Sequence, residues 1–351
     1  MKFIKNLYQK FSNDIGIDLG TANTLVYLEG HGVVINEPSV VAVNQKTGQI
    51  VAVGTEAKKM LGRTPGHIKA IRPLVEGVVS DFEVTEEMLA YYINKADKMV
   101  KKPFRPRVVV GVPSGITNVE TRAVYDAAKS AGAREVYIVE EPMAAAVGIR
   151  MPVHDASGSM IVDIGGGTTD VAVISLGGVI QSKNLNIAGD KLNSDIVSYF
   201  RDEFKLLIGE KTAEDIKVKV GSALALEEPL ETPVRGRDLV TGLPREVIVT
   251  DSDIREAIMP SIRTLVEGVR EVIENTPPEI LSDIMQRGIV VSGGGSLIRG
   301  LDIVLQKVTK IPIYVAEEPL TAVARGTGII LQDFEKYKDI LLSNDDELPL
   351  R

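Results

Sequence analysis

Val162-Asp163-Ile164-Gly165-Gly166-Gly167-Thr168-Thr169-Asp170-Val171 and Ile17-Asp18-Leu19-Gly20-Thr21-Ala22-Asn23-Thr24-Leu25-Val26 state one pattern twice. Each reads as an apolar strand, Asp-x-Gly, a few small or hydroxyl residues, then a second apolar strand. Turns rich in Gly and Thr bare their backbone N–H groups, which suits phosphate oxygens. A carboxylate beside each turn suits a hydrated magnesium ion. The repetition predicts two related α/β halves and a nucleotide held between them.

Working outward, strands and helices alternate. Residues 84–100 read as a helix with Met88, Tyr91, Tyr92, Ala96 and Met99 on one buried face. Residues 107–112 form an apolar strand, 119–131 a helix, 136–139 a strand and 142–149 a small-residue helix. Short apolar stretches at 33–35, 40–43 and 50–53 predict a small β-rich insertion. In the second half a helix is expected from Gly189-Asp190 to about 207, and 221–248 as an irregular or β-rich insertion. Asp251 or Ser252 should cap a long helix kinked at Pro260. Residues 289–291 form a strand, then Ser292-Gly293-Gly294-Gly295-Ser296 opens a helix. A last helix near 320–331 should pack back on the first half. The expected division is a segment 1–13, a first lobe 14–150 completed by 318–342 with a small subdomain near 30–75, a second lobe 151–317 with a small subdomain near 190–250, and a polar tail 343–351.

Composition narrows the function. The 351 residues are 44% hydrophobic and 25% charged, with net charge −8, no cysteine and three histidines. An acidic balance argues against nucleic acid as partner, and thiolate chemistry is excluded. Separated His31, His67 and His154 make no metal site. No apolar run is long enough to span a bilayer, and a cytoplasmic protein fits. In Met1-Lys2-Phe3-Ile4-Lys5-Asn6-Leu7-Tyr8-Gln9-Lys10-Phe11, the apolar residues, Phe3, Ile4, Leu7 and Phe11 among them, share an arc of roughly 140° with lysines on or beside the other face. Such a helix can lie on an anionic membrane, many copies acting together; a helix packed on its own domain is the alternative.

Further candidate sites have two readings each. In Glu140-Glu141-Pro142-Met143-Ala144-Ala145-Ala146, an acid can orient a water attacking the γ-phosphate or complement the helix dipole. The glycines 293–295 let a sugar or base lie close to the backbone, although neither a Rossmann nor a P-loop spacing is present. Glu214 and Lys217 share one helix face and either contact ribose and adenine or form a surface ion pair.

Together these stretches resemble the actin, sugar-kinase and heat-shock-chaperone ATPase superfamily, whose order of elements they follow through Pro319-Leu320-Thr321-Ala322-Val323-Ala324-Arg325-Gly326-Thr327-Gly328. Within it, Asn36-Glu37-Pro38-Ser39, Leu61-Gly62-Arg63-Thr64-Pro65-Gly66, Ala70-Ile71-Arg72-Pro73 and Thr276-Pro277-Pro278-Glu279 resemble the MreB family of bacterial actins. The resemblance implies an actin-like ATPase fold, two α/β lobes each with a smaller insertion. It implies ATP and Mg2+ as ligands, with Asp18 and Asp163 around the metal and Glu141, Thr168 and Asp170 at the hydrolytic water. Gly20, Thr21, Ala22, Asn23, Gly165, Gly166, Gly167 and Thr168 would bind phosphates. Gly189, Glu214, Lys217, Gly293, Gly294 and Gly295 would complete the nucleotide site. Many members have Glu where this chain has Asp170. The N-terminal helix and Phe104, in Lys102-Pro103-Phe104-Arg105-Pro106, match membrane-inserting segments at the inner face of the plasma membrane. ATP-dependent self-assembly into filaments that organise peptidoglycan elongation is the implied function, with RodZ and MreC/MreD as implied partners. A chaperone of the superfamily needs a client domain, for which the residues after 332 are too few. A sugar kinase needs a dedicated acid facing a sugar pocket, and none stands out.

Overall fold

The computed structural model describes residues 12–342 except 63 and 101. The amphipathic segment with Phe3, Ile4, Leu7 and Phe11, and the tail 343–351, lie outside the described residues. The chain divides into two compact units. One comprises the residues up to Ala156, Ile174–Val179 and those from Leu320 onward; the other comprises Ser157–Val173 and Ile180–Pro319.

The first unit opens with β1 (Ile15–Leu19), β2 (Asn23–Leu28) and β3 (Gly32–Pro38), an antiparallel meander. Then come β4 (Val41–Asn44), β5 (Ile50–Val53), α1 (Thr55–Met60) and β6 (Ile68–Ile71), in which the three strands form a separate small sheet. A two-stranded ribbon, β7 (Leu74–Val75) and β8 (Val78–Val79), leads to α2 (Phe82–Asp97). After it run β9 (Arg107–Val112), α3 (Asn118–Ser130), β10 (Glu135–Glu140) and α4 (Glu141–Gly148). The main sheet has the order β10-β9-β1-β2-β3. Every residue of β9 is buried, as expected of a parallel strand covered on both faces. Residues 33–35 therefore belong to the main sheet and not to the insertion. Gly30 and Gly32, with φ of 78° and 77°, make the tight return that places them there.

Helix α2 starts on Asp81, whose carboxylate accepts from Val84 N at 3.1 Å. Met88, Leu89, Tyr92, Ile93 and Ala96 are buried, whereas Tyr91 and Met99 are exposed. Tyr91 lies roughly 100° from Tyr92 around the helix, and Met99 falls beyond its end. This corrects the buried face read from periodicity.

The second unit begins with β11 (Ser159–Ile164), β12 (Thr169–Ser175) and β13 (Gly178–Leu185), followed by α5 (Gly189–Asp202). Helix α5 stops short of 207, because Leu206–Leu207 is strand β14, paired with the hairpin that follows. Then come α6 (Glu210–Val220), the hairpin β15 (Glu231–Asp238) and β16 (Pro244–Thr250), and α7 (Asp251–Glu274). The cap of α7 is Thr250, in a capping box with Asp253; Asp251 and Ser252 are already helical. Pro260 sits inside α7 without ending it. Helix α8 (Pro278–Arg287), β17 (Ile289–Ser292), a 3-10 turn Gly294–Leu297, α9 (Leu301–Thr309) and β18 (Ile313–Val315) complete the unit. Its sheet has the order β13-β12-β11-β17-β18.

The two sheets follow the same path: a three-strand meander, then two parallel strands added beside the first strand of the meander. The repeat seen in the sequence is thus a repeat of topology. Each unit has its own apolar core, with Ile15, Ile17, Met88, Tyr92, Val110 and Ile138 in the first and Val162, Val171, Phe200, Ile258, Leu265 and Ile289 in the second.

The chain ends its described course in the first unit with α10 (Ala322–Gln332) and α11 (Phe334–Tyr337). Helix α10 packs on α4 at near backbone contact. A Cβ added to Gly148 would stand 1.9 Å from Ala322 O, and one added to Gly326 would stand 1.8 Å from Ala144 O. Only glycine allows that approach. Asp14 and Arg107 form a buried ion pair beneath this helix, and the guanidinium also donates to Leu331 O at 3.1 Å.

Candidate functional site

The first turn joins β1 to β2 just past the pair Leu19↔Thr24. A Cβ on Gly20 would lie 2.7 Å from Asn23 O, so the turn closes only with glycine there. Ser39 braces it from β3's far end: its hydroxyl donates to Gly20 O, its N–H donates to Ala22 O at 3.0 Å, and its Oγ lies 2.9 Å from Thr24 Oγ1. Thr21 Oγ1 accepts from Gly77 N at 2.9 Å, which leaves its hydroxyl proton to donate elsewhere. The Asn23 side chain donates to Asn36 Oδ1 at 2.8 Å.

The second turn is built alike. Gly165 N donates to Thr168 O at 2.9 Å, and a Cβ on Gly165 would meet that oxygen at 3.1 Å. The carbonyls of Gly165 and Gly166 accept from Gly189 N at 3.2 Å and Asp190 N at 2.8 Å. Thr169 Oγ1 donates to Ile187 O at 2.6 Å. Thr168 is buried with the turn.

The repeat extends to the acids. Asp18 stands opposite Gly111 on the neighbouring parallel strand, and Asp163 opposite Ser292. Those two partners differ, and so do the sites. Ser292 donates its hydroxyl to the buried Asp163 carboxylate. Burial pushes that carboxyl up to about 6, and the serine bond opposes the rise. Gly111 instead has no side chain to offer: Val323 and Glu141 fill its place, since a Cβ there would stand 3.0 Å from Val323 Cγ1 and 3.6 Å from Glu141 Cγ. Glu141 is buried as the first residue of α4, with Pro142 fixing the helix start behind it. Burial raises the carboxyl of its neighbour Glu140 above the usual range, and the nearby Gly115 N–H and Ser114 oppose the rise.

Asp170 is buried on β12 and accepts from Asn184 Nδ2 at 3.0 Å. Gly293 and Gly295 rest on the end of β11. Added Cβ atoms would lie 2.3 Å from Ile164 O and 2.2 Å from Ile164 Cγ2, and Gly293 has φ of 76°. The fold itself therefore demands these glycines. The helix expected to open here begins only at Leu301, after the 3-10 turn. Lys217 reaches back from α6 to Gly189 O at 2.8 Å, which ties Gly189 and Lys217 to the second turn. Burial lowers the Lys217 ammonium, while nearby Glu214, Asp190 and Glu210 oppose the shift. Arg299, just past the 293–295 turn, donates to Gly221 O at 3.2 Å and Val218 O at 3.3 Å. Within the second unit, then, Gly165, Gly166, Gly189 and Lys217 form one bonded cluster, and Gly293 and Gly295 pack on Ile164 just before it. Among the described residues no group of three or more His, Cys, Asp and Glu side chains could hold a metal by itself.

Phe104 is partly exposed and forms an isolated bridge with Ser12, whose carbonyl accepts from Lys102 Nζ at 2.7 Å. The loop thus sits beside Ser12. No described helix is long and apolar enough to cross a membrane.

The braces Ser39, Ser292 and Asn184 escaped the sequence reading. For two of them a signal was present: Ser292 ends the apolar run Ile289-Val290-Val291, and Ser39 stands between Asn36-Glu37-Pro38 and the apolar run Val40-Val41-Ala42-Val43.

Comparison with known proteins places this geometry. The family model described as MreB/Mbl protein matches residues 12–339. The cell shape-determining protein Mbl of Bacillus subtilis is 49% identical over 334 residues, covering 95% of this chain and all of that one. The cell shape-determining protein MreB of Escherichia coli K12 is 49% identical over 346 residues, covering 97% and 100%. MreB5 of Spiroplasma citri has been solved with ADP, at TM-score 0.88 and 39% identity over 94% of this chain and 98% of that one. Its form bound to AMPPNP gives 0.87 and 38% over 93% and 98%. The duplicated sheets are the actin-like fold, and with a family model spanning nearly all of its described length this chain belongs to the MreB/Mbl family.

Proposed function

We propose that the protein is an ATPase of cell-shape determination that assembles with itself into filaments at the inner face of the plasma membrane. The observation that carries this reading is the equivalence of the two turns: Gly20 and Gly165 close against the carbonyl three residues on, beside Asp18 and Asp163 at matching strand positions. Backbone N–H groups of Gly20–Asn23 and Gly166–Thr168 would take the phosphates of ATP, with Gly165 closing the second turn. Support comes also from the relative MreB5, solved with ADP and with AMPPNP.

Asp18 and Asp163 offer hard oxygen ligands, which fit Mg2+. A buried carboxylate such as Asp163, disfavoured in its charged form, gains most from an adjacent cation. Phosphate oxygens and water would supply the remaining ligands. The ion would neutralise charge developing on the phosphates. Glu141, with Thr168, would hold the attacking water, and Asn184 keeps Asp170 aimed on its strand. Glu214 would contribute at the nucleoside, as would Gly294 in its loop. Hydrolysis then acts as a switch for assembly. Organisation of peptidoglycan elongation with RodZ and MreC/MreD belongs to the same reading.

Pelleting and electron microscopy on an anionic lipid monolayer test polymer and membrane together. Filaments are expected with ATP and Mg2+ and not without nucleotide. A protein that stays monomeric at micromolar concentration yet phosphorylates a sugar would overturn the proposal. Deleting residues 1–11 is expected to abolish co-sedimentation with liposomes and leave ATP affinity unchanged. Persistent binding would move the membrane contact to the Phe104 loop, and loss of both properties would point to a folding role for the segment.

A further inference from the structure

The second phosphate turn is fastened by a relay of three hydrogen-bonded segments. The outward carbonyls of Gly165 and Gly166 accept from the first N–H groups of α5, those of Gly189 and Asp190. The carbonyl of Gly189 in turn accepts from Lys217 Nζ at 2.8 Å. Gly189 is the crossing point: an added Cβ would stand 3.3 Å from Lys217 Nζ, 3.5 Å from Gly165 O and 3.6 Å from Gly166 Cα. One ammonium on α6 is thereby two hydrogen bonds away from a glycine of the turn.

That arrangement has a mechanical consequence. A triple-glycine turn has more backbone freedom than any other, and it must lose that freedom to aim its N–H groups at phosphate. Bonds to its outward carbonyls restrict it before a ligand arrives, which cuts the ordering cost of binding. The α5 start can act as such a strut only if it is itself held. Lys217 holds it with a charge-assisted bond, stronger than a neutral one. The ammonium is partly withdrawn from water, and burial lowers its proton affinity, so the Gly189 carbonyl is a partner it would not readily exchange.

We propose that Lys217 is a positioning residue for the phosphates: by gripping the Gly189 carbonyl it braces Gly165 and Gly166. This rests on the nucleotide reading above and differs from the nucleoside contact that the family resemblance implies for this lysine. A nucleoside contact weakens every adenosine-containing ligand alike. A brace on the turn weakens only those that carry a β-phosphate, ADP as well as ATP.

Lys217→Met keeps the length of the stem and removes the donor. In competition against a fluorescent ATP analogue with the full-length protein and Mg2+, it is expected to weaken ATP and ADP about tenfold. Adenosine should change by less than about twofold. Lys217→Arg, which retains charge and donors, should recover most of the loss. Equal losses for ATP, ADP and adenosine would overturn the proposal in favour of a nucleoside contact, and no loss would overturn it outright. Failure of the wild-type chain to bind ATP would instead remove the nucleotide reading. Should Lys217→Met not fold, hydrogen exchange on the wild type decides. Peptides covering 165–168 and 189–190 should gain protection with ADP and not with adenosine; equal protection by adenosine overturns the proposal.

Discussion

Glu141→Ala is expected to slow phosphate release by about 10²–10⁴-fold, the usual worth of a positioned acid–base group, while ATP still binds. The expectation follows from where the side chain is held. Glu141 is buried at the first position of α4, with its Cγ packed over Gly111, where a Cβ would stand 3.6 Å from it. Gly111 is the strand partner of Asp18, so the carboxylate emerges next to the acid proposed for the metal. In the second unit the equivalent strand position holds Ser292, which is spent on Asp163. The duplicated sheets thus hold two different devices: a glycine covered by Glu141 in the first and a serine bonded to the acid in the second. Single-turnover phosphate release and equilibrium nucleotide binding separate the two effects. Glu141→Gln should be nearly as slow, because it keeps the shape and loses the base. Unchanged turnover in both variants would remove Glu141 from the chemistry.

The second large effect is expected from a single methyl group. Gly326→Ala places a Cβ 1.8 Å from Ala144 O and 2.5 Å from its carbonyl carbon, both backbone atoms that cannot rotate aside. Helices α4 and α10 must separate, at a cost of about 1–3 kcal/mol or more, lowering the melting temperature by about 3–10 °C. Because α4 begins at Glu141, the shift should also lower turnover. Gly66→Ala, where nothing lies within 4 Å, serves as the neutral control. A Gly326→Ala protein that melts with the control would show that the helices cross less tightly than described.

Much of the architecture was legible because it rests on local backbone chemistry. Apolar runs broken by Asp-x-Gly turns have few other solutions, and two of them announced two related sheets. The same local logic failed where the deciding partner was remote. Residues 33–35 looked like insertion strands, yet the turn at Gly30–Gly32 returns them to β2. Tyr91 has the right spacing for a buried face and lies outside it. The glycines at 293 and 295 read as room for a nucleoside, whereas their tightest requirement comes from Ile164 on β11.

What the sequence determined by itself was the pair of turns, the alternation of strand and helix, and the family to which they belong. These are encoded within a few neighbouring residues, as dihedral freedom, hydrogen-bonding groups and apolar period. Tertiary structure alone decided which side chains brace the turns: Ser39 on the first, Ser292 on Asp163, Asn184 on Asp170, and Lys217 on the carbonyl of Gly189. The reason is physical. Such a bond joins segments whose closeness is set by packing of the whole unit, and no local pattern records which carbonyl a lysine will find.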